Sequence, residues 1–295
     1  MFNPADLVST RIEFHNRVGK RVVGLWSSYR STPTKAVVVI PPGYERKVRH
    51  YGVIAAFLGQ HGYDTLRFDL TNHLGNSDGE IADLTMSSIA MDIEAAIDAC
   101  ALQNPDGLPL FVVASSLTCR AAIRVASSRP LDGMALLLPV TDVQATLTRV
   151  ICEDVVSQWQ TRQVTNSETK CRVVEHDVKF AFVKDLCDNH WVDPETVRRE
   201  VSAIEAPVFG IGSARDDWVD QEEISAAMSG PSTWKRHLCV IETSSHEIAH
   251  NPPALRTLME YVLRSLDNCL DAPLNPVVHF EFEQLVRLKA DELMV

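Results

Sequence analysis

Short apolar runs alternate with longer amphipathic stretches along most of the chain. The run Ala36–Ile40 (AVVVI) is apolar and almost entirely β-branched, which is typical of a strand buried on both faces of a sheet. Residues 51–61 then show helical periodicity, and Gly62 follows at a position where glycine favours helix termination. This alternation predicts an α/β protein with a mostly parallel, doubly wound sheet.

The same rhythm continues to residue 138 and resumes after residue 204. Further strands are predicted at 11–15, 21–27, 65–69, 110–114, 134–138, 207–211 and 237–241, and helices at 86–100, 118–127, 221–228 and 252–266. Residues 141–204 are richer in charge and contain no apolar strand run. We therefore predict a core formed by residues 1–140 and 205–295. We expect residues 141–204 to form a mostly helical cap insertion over one end of the sheet.

Composition narrows the class of protein. The 295 residues are 45% hydrophobic, enough for one domain with a large core. A net charge of −11 disfavours nucleic acid as a partner. No apolar run is long enough for a membrane span, and the N-terminus lacks a signal-peptide pattern, so we expect a cytoplasmic protein. Seven cysteines without a C-x-x-C pair disfavour both a disulfide framework and a zinc site.

A strand-to-helix junction of small residues carries a candidate nucleophile. Ser115 and Ser116 follow the predicted strand at 110–114. α/β-Hydrolases place a serine in such a strained turn, usually as G-x-S-x-G, because the residues two before and two after it approach closely. The neighbours of Ser116 at these positions are Ala114 and Thr118, which are smaller than those of Ser115, so sterics favour Ser116. Serines that only cap the helix are the alternative.

Two later strand ends carry a candidate acid and base. Asp216 and Asp217 follow the strand at 207–211, and His246 follows the strand at 237–241. The order serine, carboxylate, histidine is that of α/β-hydrolases, in which the histidine takes the serine proton and the carboxylate orients the imidazole. A solvated turn and a surface histidine are the alternatives.

The first buried strand ends in a candidate oxyanion hole. Gly43 and Tyr44 follow strand Ala36–Ile40. In this fold a backbone N–H after that strand acts together with the N–H that follows the nucleophile. We therefore expect the N–H groups of Tyr44 and Leu117 to bind the oxyanion, unless the segment is an ordinary Pro-Gly turn.

Residues 246–250 also match the zinc-protease pattern H-E-x-x-H. That chemistry needs His246 and His250 on one face of a continuous helix. Pro252 and Pro253 follow directly, and proline favours the start of a helix over its interior. We therefore expect a loop that enters a helix, and no metal.

With these residues in view, the chain resembles the lux-specific myristoyl-acyl-carrier-protein thioesterases, also called acyl transferases, of bacterial bioluminescence. The resemblance runs over most of the chain. It rests on Gly43-Tyr44 with Arg46-Lys47, Arg67-Phe68-Asp69, Asn72-His73-Leu74-Gly75, Leu84-Thr85-Met86, Ala114-Ser115-Ser116-Leu117-Thr118-Cys119-Arg120, Phe182-Val183-Lys184-Asp185, His190-Trp191, Asp216-Asp217-Trp218-Val219, Gln221-Glu222-Glu223, Ser244-Ser245-His246 and Phe282-Glu283-Gln284-Leu285.

In that family the sequence around the nucleophilic serine is A-x-S-x-S instead of G-x-S-x-G. The absence of both glycines around Ser116 therefore agrees with the family, although Thr118 stands where the family has serine. The resemblance implies an α/β-hydrolase fold and the triad Ser116, Asp216 and His246. It also implies release of a fatty acyl group from acyl carrier protein or a similar thioester, without a cofactor. A carboxylesterase with the same triad, a zinc peptidase and a non-catalytic binding protein are the alternatives. The block 141–204 is the least similar part, and such a cap usually shapes the acyl pocket.

A basic cluster follows the candidate oxyanion loop. It consists of Arg46, Lys47 and Arg49, with His50 beside it. Acyl carrier proteins are strongly acidic, and two acidic proteins associate slowly unless a local patch of opposite charge meets the partner. We expect this cluster to lie near the mouth of the active site and to bind the carrier, unless it is only a solvated helix entry.

Overall fold

The computed structural model describes residues 6–104, 106–242, 245–270 and 276–279. Part of the family resemblance, Phe282-Glu283-Gln284-Leu285, lies outside the described residues, as does Ser244. None of the helices in the described ranges is long and apolar enough to cross a membrane.

One eight-stranded sheet forms the centre of the molecule. Its strands are β1 Leu7–His15, β2 Arg21–Tyr29, β3 Ala36–Ile40, β4 Tyr63–Phe68, β5 Leu110–Ser115, β6 Gly133–Leu137, β9 Val208–Ser213 and β10 Arg236–Ile241. The spatial order is β1-β2-β4-β3-β5-β6-β9-β10. Pairings β1–β2 and β2–β4 are antiparallel and the others are parallel. This arrangement confirms the predicted α/β class with a mostly parallel sheet.

Helices cover both faces of the sheet. They are α1 Gly52–Gln60, α2 Met86–Gln103, α3 Leu117–Ala126, α4 Val143–Ile151, α5 Val155–Gln160, α6 Ala181–Asp188, α7 Pro194–Ala203, α8 Gln221–Met228 and α9 Pro252–Cys269. All five residues of β3 are buried, as its uniformly apolar sequence predicts. Helices α2 and α3 contribute to one hydrophobic core, while α1 and α9 contribute to a second core on the other face.

The segment between β6 and β9 contains four helices, α4 to α7, and a hairpin. The hairpin strands are β7 Lys170–Val173 and β8 His176–Lys179. The hydrophobic pattern did not predict this hairpin, because its strands, KCRV and HDVK, are mostly polar and carry no apolar run. Apolar side chains of the segment, among them Leu147 and Phe182, pack in the same core as α2 and α3. Its boundaries at 141 and 204 stay a prediction.

Candidate active site

The junction between β5 and α3 is a strained elbow. Ser116 has φ 53° and ψ −127°, a backbone conformation that a non-glycine residue rarely adopts. Ala114 and Thr118 on either side of it are both fully buried. The Thr118 hydroxyl donates a hydrogen bond to the carbonyl oxygen of Ser115 at 2.9 Å, which closes the turn. The strain presents the Ser116 side chain at the carboxyl end of the sheet.

The three predicted triad side chains form one hydrogen-bonded chain. The Ser116 Oγ lies 2.8 Å from Nε2 of His246, and Nδ1 of His246 lies 2.8 Å from Oδ2 of Asp216. The His246 and Asp216 side chains are 7% and 1% exposed. A carboxylate at Nδ1 favours the tautomer with its proton there, so Nε2 is left to accept the proton of Ser116. Their catalytic roles stay a prediction.

Neighbouring backbone groups orient the Asp216 carboxylate. Its Oδ1 accepts hydrogen bonds from the N–H groups of Trp218 at 2.9 Å and Val219 at 3.0 Å, while Oδ2 faces the imidazole. Asp217 is exposed, and its side chain has no hydrogen-bond partner within the described ranges. Of the two adjacent aspartates, only Asp216 has the geometry of an orienting acid.

Trp218 is a site residue that the sequence analysis did not assign. Its ring stacks on His246 with centroids 4.6 Å apart and an interplanar angle of 28°. An aromatic face attracts a cation, so the stack favours the imidazolium that forms when His246 takes a proton. The sequence indicated a place for Trp218 in the site only through its position two residues after Asp216, because both residues then lie in the same loop.

The predicted oxyanion donors have free N–H groups. Neither Tyr44 nor Leu117 donates its backbone N–H to an acceptor among the residues described, whereas the N–H groups of Gly43, Glu45 and Ser116 do. The N–H of Gly43 donates to Tyr51 Oη at 2.7 Å, and that of Glu45 donates to His73 Nε2 at 3.1 Å. These two bonds hold the loop on either side of Tyr44, and its own N–H stays available for an oxyanion.

Tyr51 and His73, which support this loop, were also missed. Tyr51 Oη lies 2.6 Å from Ser115 Oγ, and a Cβ at Gly43 would lie only 3.1 Å from the same hydroxyl, so the close approach favours glycine. Burial lowers the pKa of His73 to about 4. His73 is therefore neutral at pH 7, and its Nε2 can accept the N–H of Glu45, which has a left-handed φ of 62°.

A cavity of about 260 Å3 contains Ser116 and His246 in its wall. Its charged and polar lining comes from the candidate oxyanion loop and the turn that follows it, from Ser115 and Ser116, and from the loop after β10. Arg46 and Glu247, from the first and last of these segments, form an ion pair. The remaining lining side chains are apolar or aromatic.

The predicted basic cluster divides into two parts. Arg46 lines the cavity and is neutralised by Glu247. Lys47 and Arg49 do not line the cavity, and neither pairs with a carboxylate within the described ranges. Lys47 and Arg49 are therefore the two cations of the cluster without a carboxylate partner among the described residues.

The H-E-x-x-H segment does not have the geometry of a zinc-protease helix. His246 lies in a loop, and Ile248–His250 form a single 3-10 turn before α9. Both ring nitrogens of His246 face other partners, Ser116 and Asp216, and Glu247 pairs with Arg46. No group of three potential metal ligands occurs in the part of the chain that is described. Residues 246–250 therefore match the zinc-protease pattern in sequence but not in structure.

Comparison with known sequences identifies similar proteins. The sequence model of the acyl transferase family matches residues 11–293. The chain is 26% identical over 282 residues to the acyl transferase of Photorhabdus luminescens, covering 92% of this chain and 89% of that protein. It is 24% identical over 286 residues to an acyl transferase of Photobacterium leiognathi, covering 92% and 87%.

Solved structures share the architecture. Est1E from Butyrivibrio proteoclasticus, with ferulic acid bound, has a TM-score of 0.69 at 16% identity, covering 88% of this chain and 99% of that chain. The Pyrococcus furiosus esterase Pf2001 has a TM-score of 0.63 at 19% identity, covering 91% and 96%. At these identities the similarity shows an α/β-hydrolase fold and nothing about substrates.

Proposed function

Because the chain belongs to the acyl transferase family, we propose that it removes a fatty acyl group from a thioester through a covalent intermediate on Ser116. The observation that carries this proposal is the hydrogen-bonded chain of Ser116, His246 and Asp216 in the wall of a largely apolar cavity. A serine activated by a histidine is a nucleophile for acyl transfer, and an apolar cavity suits a hydrocarbon tail.

In the first half-reaction, Ser116 Oγ attacks the thioester carbonyl carbon as its proton moves to Nε2 of His246. The resulting oxyanion accepts hydrogen bonds from the N–H groups of Tyr44 and Leu117. The carbon–sulfur bond then breaks, and the thiol leaves with the proton from His246. The product is an ester between the acyl group and Ser116.

In the second half-reaction, water or a hydroxyl acceptor attacks that ester. His246 takes the proton of the attacking group and returns it to Ser116 Oγ as the serine leaves. Asp216 stabilises the imidazolium through its contact with Nδ1, with Trp218 stacked on the ring. The products are a free fatty acid or a new acyl ester, and the enzyme regains its starting state.

Parallel kinetics test the proposed substrate class. We expect a larger kcat/KM for an acyl thioester than for an oxygen ester of equal chain length, since a thiol is a better leaving group than an alcohol. The measurement is the initial rate of each, with the Ser116→Ala variant as a blank. A larger kcat/KM for the oxygen ester would favour a carboxylesterase with the same triad.

Acyl carrier protein is the partner that we propose for docking at Lys47 and Arg49. These two cations follow the Tyr44 loop and lack a carboxylate partner in the described ranges, so they offer positive charge to an acidic partner in a protein whose net charge is −11. Such a patch accelerates encounter and is weakened by salt.

The double variant Lys47→Ser/Arg49→Ser tests this docking surface. We expect a lower kcat/KM for acyl-carrier substrate and little change for a small soluble thioester, because the triad is intact. Activity of the unaltered protein on the carrier substrate falls as salt rises. Arg17→Ser/Arg129→Ser is the matched control, since it removes two exposed cations that pair with Glu94 and Asp98 away from the cavity. Equal losses in both double variants would contradict a specific patch.

A further inference from the structure

The apolar wall of the cavity comes from the core of the fold. Helix α1 supplies Val53 and Ile54, and α9 supplies Leu255, Leu258 and Met259. The block 141–204, which the sequence analysis expected to shape an acyl pocket, contributes only Val174 within the described ranges. That residue lies at the tip of the hairpin between β7 and β8.

The same helices contribute to the second hydrophobic core. Ile54, Leu258 and Met259 are 8%, 2% and 4% exposed and belong to the core on the α1 and α9 face of the sheet. The inserted helices pack in the other core instead. The cavity therefore extends from Ser116 towards the face of the sheet that the insertion does not cover.

Charge is absent from this part of the wall. All five lining side chains of α1 and α9 are apolar, whereas Glu45, Arg46 and Glu247 lie on loops beside the catalytic groups. A ligand with a polar reacting end and a hydrocarbon tail matches this division, with its carbonyl at Ser116 and its tail between the helices.

We propose that the acyl tail binds between α1 and α9 and that these two helices, rather than the block 141–204, set the preferred chain length. This inference rests on the function proposed above. Each buried pair of methylene groups strengthens binding by roughly tenfold, so a change in the depth of the cavity alters the preference among chains steeply.

The variant Val53→Phe tests the proposal from the α1 side. Val53 is half-buried in the first turn of α1, so a larger side chain can enter the cavity without overpacking a closed core. We expect kcat/KM for the longest substrates to fall by at least about tenfold, because the larger side chain prevents the burial of about two methylene groups of the acyl chain. The loss should become smaller as the substrate chain shortens. The measurement is kcat/KM over straight-chain thioesters from butanoyl to palmitoyl.

Two further variants distinguish the effect of α1 and α9 on chain-length preference from that of the block 141–204. Leu255→Trp narrows the cavity from α9 and should shift the preference in the same direction. Val164→Phe is the matched control, because Val164 is also half-buried but lines a different cavity within the block 141–204. A shift with Val164→Phe and none with Val53→Phe or Leu255→Trp would overturn the proposal.

Binding of free fatty acids provides a readout that does not depend on turnover. In the Ser116→Ala background, calorimetric titration with a series of fatty acids should show affinity rising with chain length, and Val53→Phe should abolish that rise for long chains. If no thioester acylates Ser116 but this pattern appears, the proposed function fails and the tail site stands. If acylation occurs and both profiles are unchanged by Val53→Phe and Leu255→Trp, the tail site is wrong.

Discussion

Ser116→Ala is expected to lower kcat for thioester turnover by about a million-fold, to the level left by binding and oxyanion stabilisation alone. Ser116 is the residue at the elbow, with φ 53°, and its Oγ lies 2.8 Å from His246 Nε2. Without the hydroxyl no acyl-enzyme can form, and His246 has no proton to take. Single-turnover measurement of acyl release, with circular dichroism to verify folding, gives the result.

Ser115→Ala is the matched control for this change. Ser115 Oγ lies 2.6 Å from Tyr51 Oη, whereas His246 Nε2 faces Ser116, so loss of the Ser115 hydroxyl weakens only the support of the Gly43 loop. One hydrogen bond is worth about 1 kcal/mol, and we expect a loss of roughly tenfold or less. If Ser115→Ala were the inactive variant and Ser116→Ala the active one, the assignment of the elbow would be wrong.

Asp216→Asn is expected to lower the acylation rate by about 10⁴-fold, the size of the corresponding loss in a serine protease. The N–H groups of Trp218 and Val219 point at Oδ1, so they hold the amide oxygen there and turn the amide NH2 towards His246. An NH2 group donates to Nδ1 and thereby leaves the proton on Nε2. The imidazole can then no longer accept the proton of Ser116.

Asp217→Asn is the control for this change because it removes the same charge one position away. Asp217 is exposed, so we expect less than about a tenfold effect, as for surface charges in general. Pre-steady-state acylation rates of the two variants distinguish these outcomes. A larger loss in Asp217→Asn would show that the loop rearranges and that Asp217 orients the imidazole.

The sheet, and the proximity of Ser116, Asp216 and His246, were predictable from the sequence because each depends on local patterns in a known order. The predicted helix at 221–228 coincides with α8, and β3 matches its AVVVI run. Ser116, Asp216 and His246 follow the carboxyl ends of β5, β9 and β10. These strands run parallel in one sheet, so their carboxyl ends lie at the same edge. The order of the strands therefore places distant residues together.

The supporting residues were not predictable in the same way. Tyr51 and His73 act on the oxyanion loop through contacts across 8 and 28 positions, and neither belongs to a motif that names its partner. The cavity between α1 and α9 was equally unpredictable, since the residues that line it, such as Ile54 and Met259, are far apart in the sequence. Apolar periodicity predicts that such residues are buried, but it does not distinguish a filled core from the wall of a cavity.

Peptide mapping by mass spectrometry, after an acid quench within the first turnover of a long-chain acyl thioester, detects the proposed acyl-enzyme directly. We expect one acyl group per chain, attached to Ser116, absent from Ser116→Ala and retained in Ser115→Ala. An adduct on Ser115, or turnover by the Ser116→Ala variant at the unaltered rate, would contradict a Ser116 acyl-enzyme.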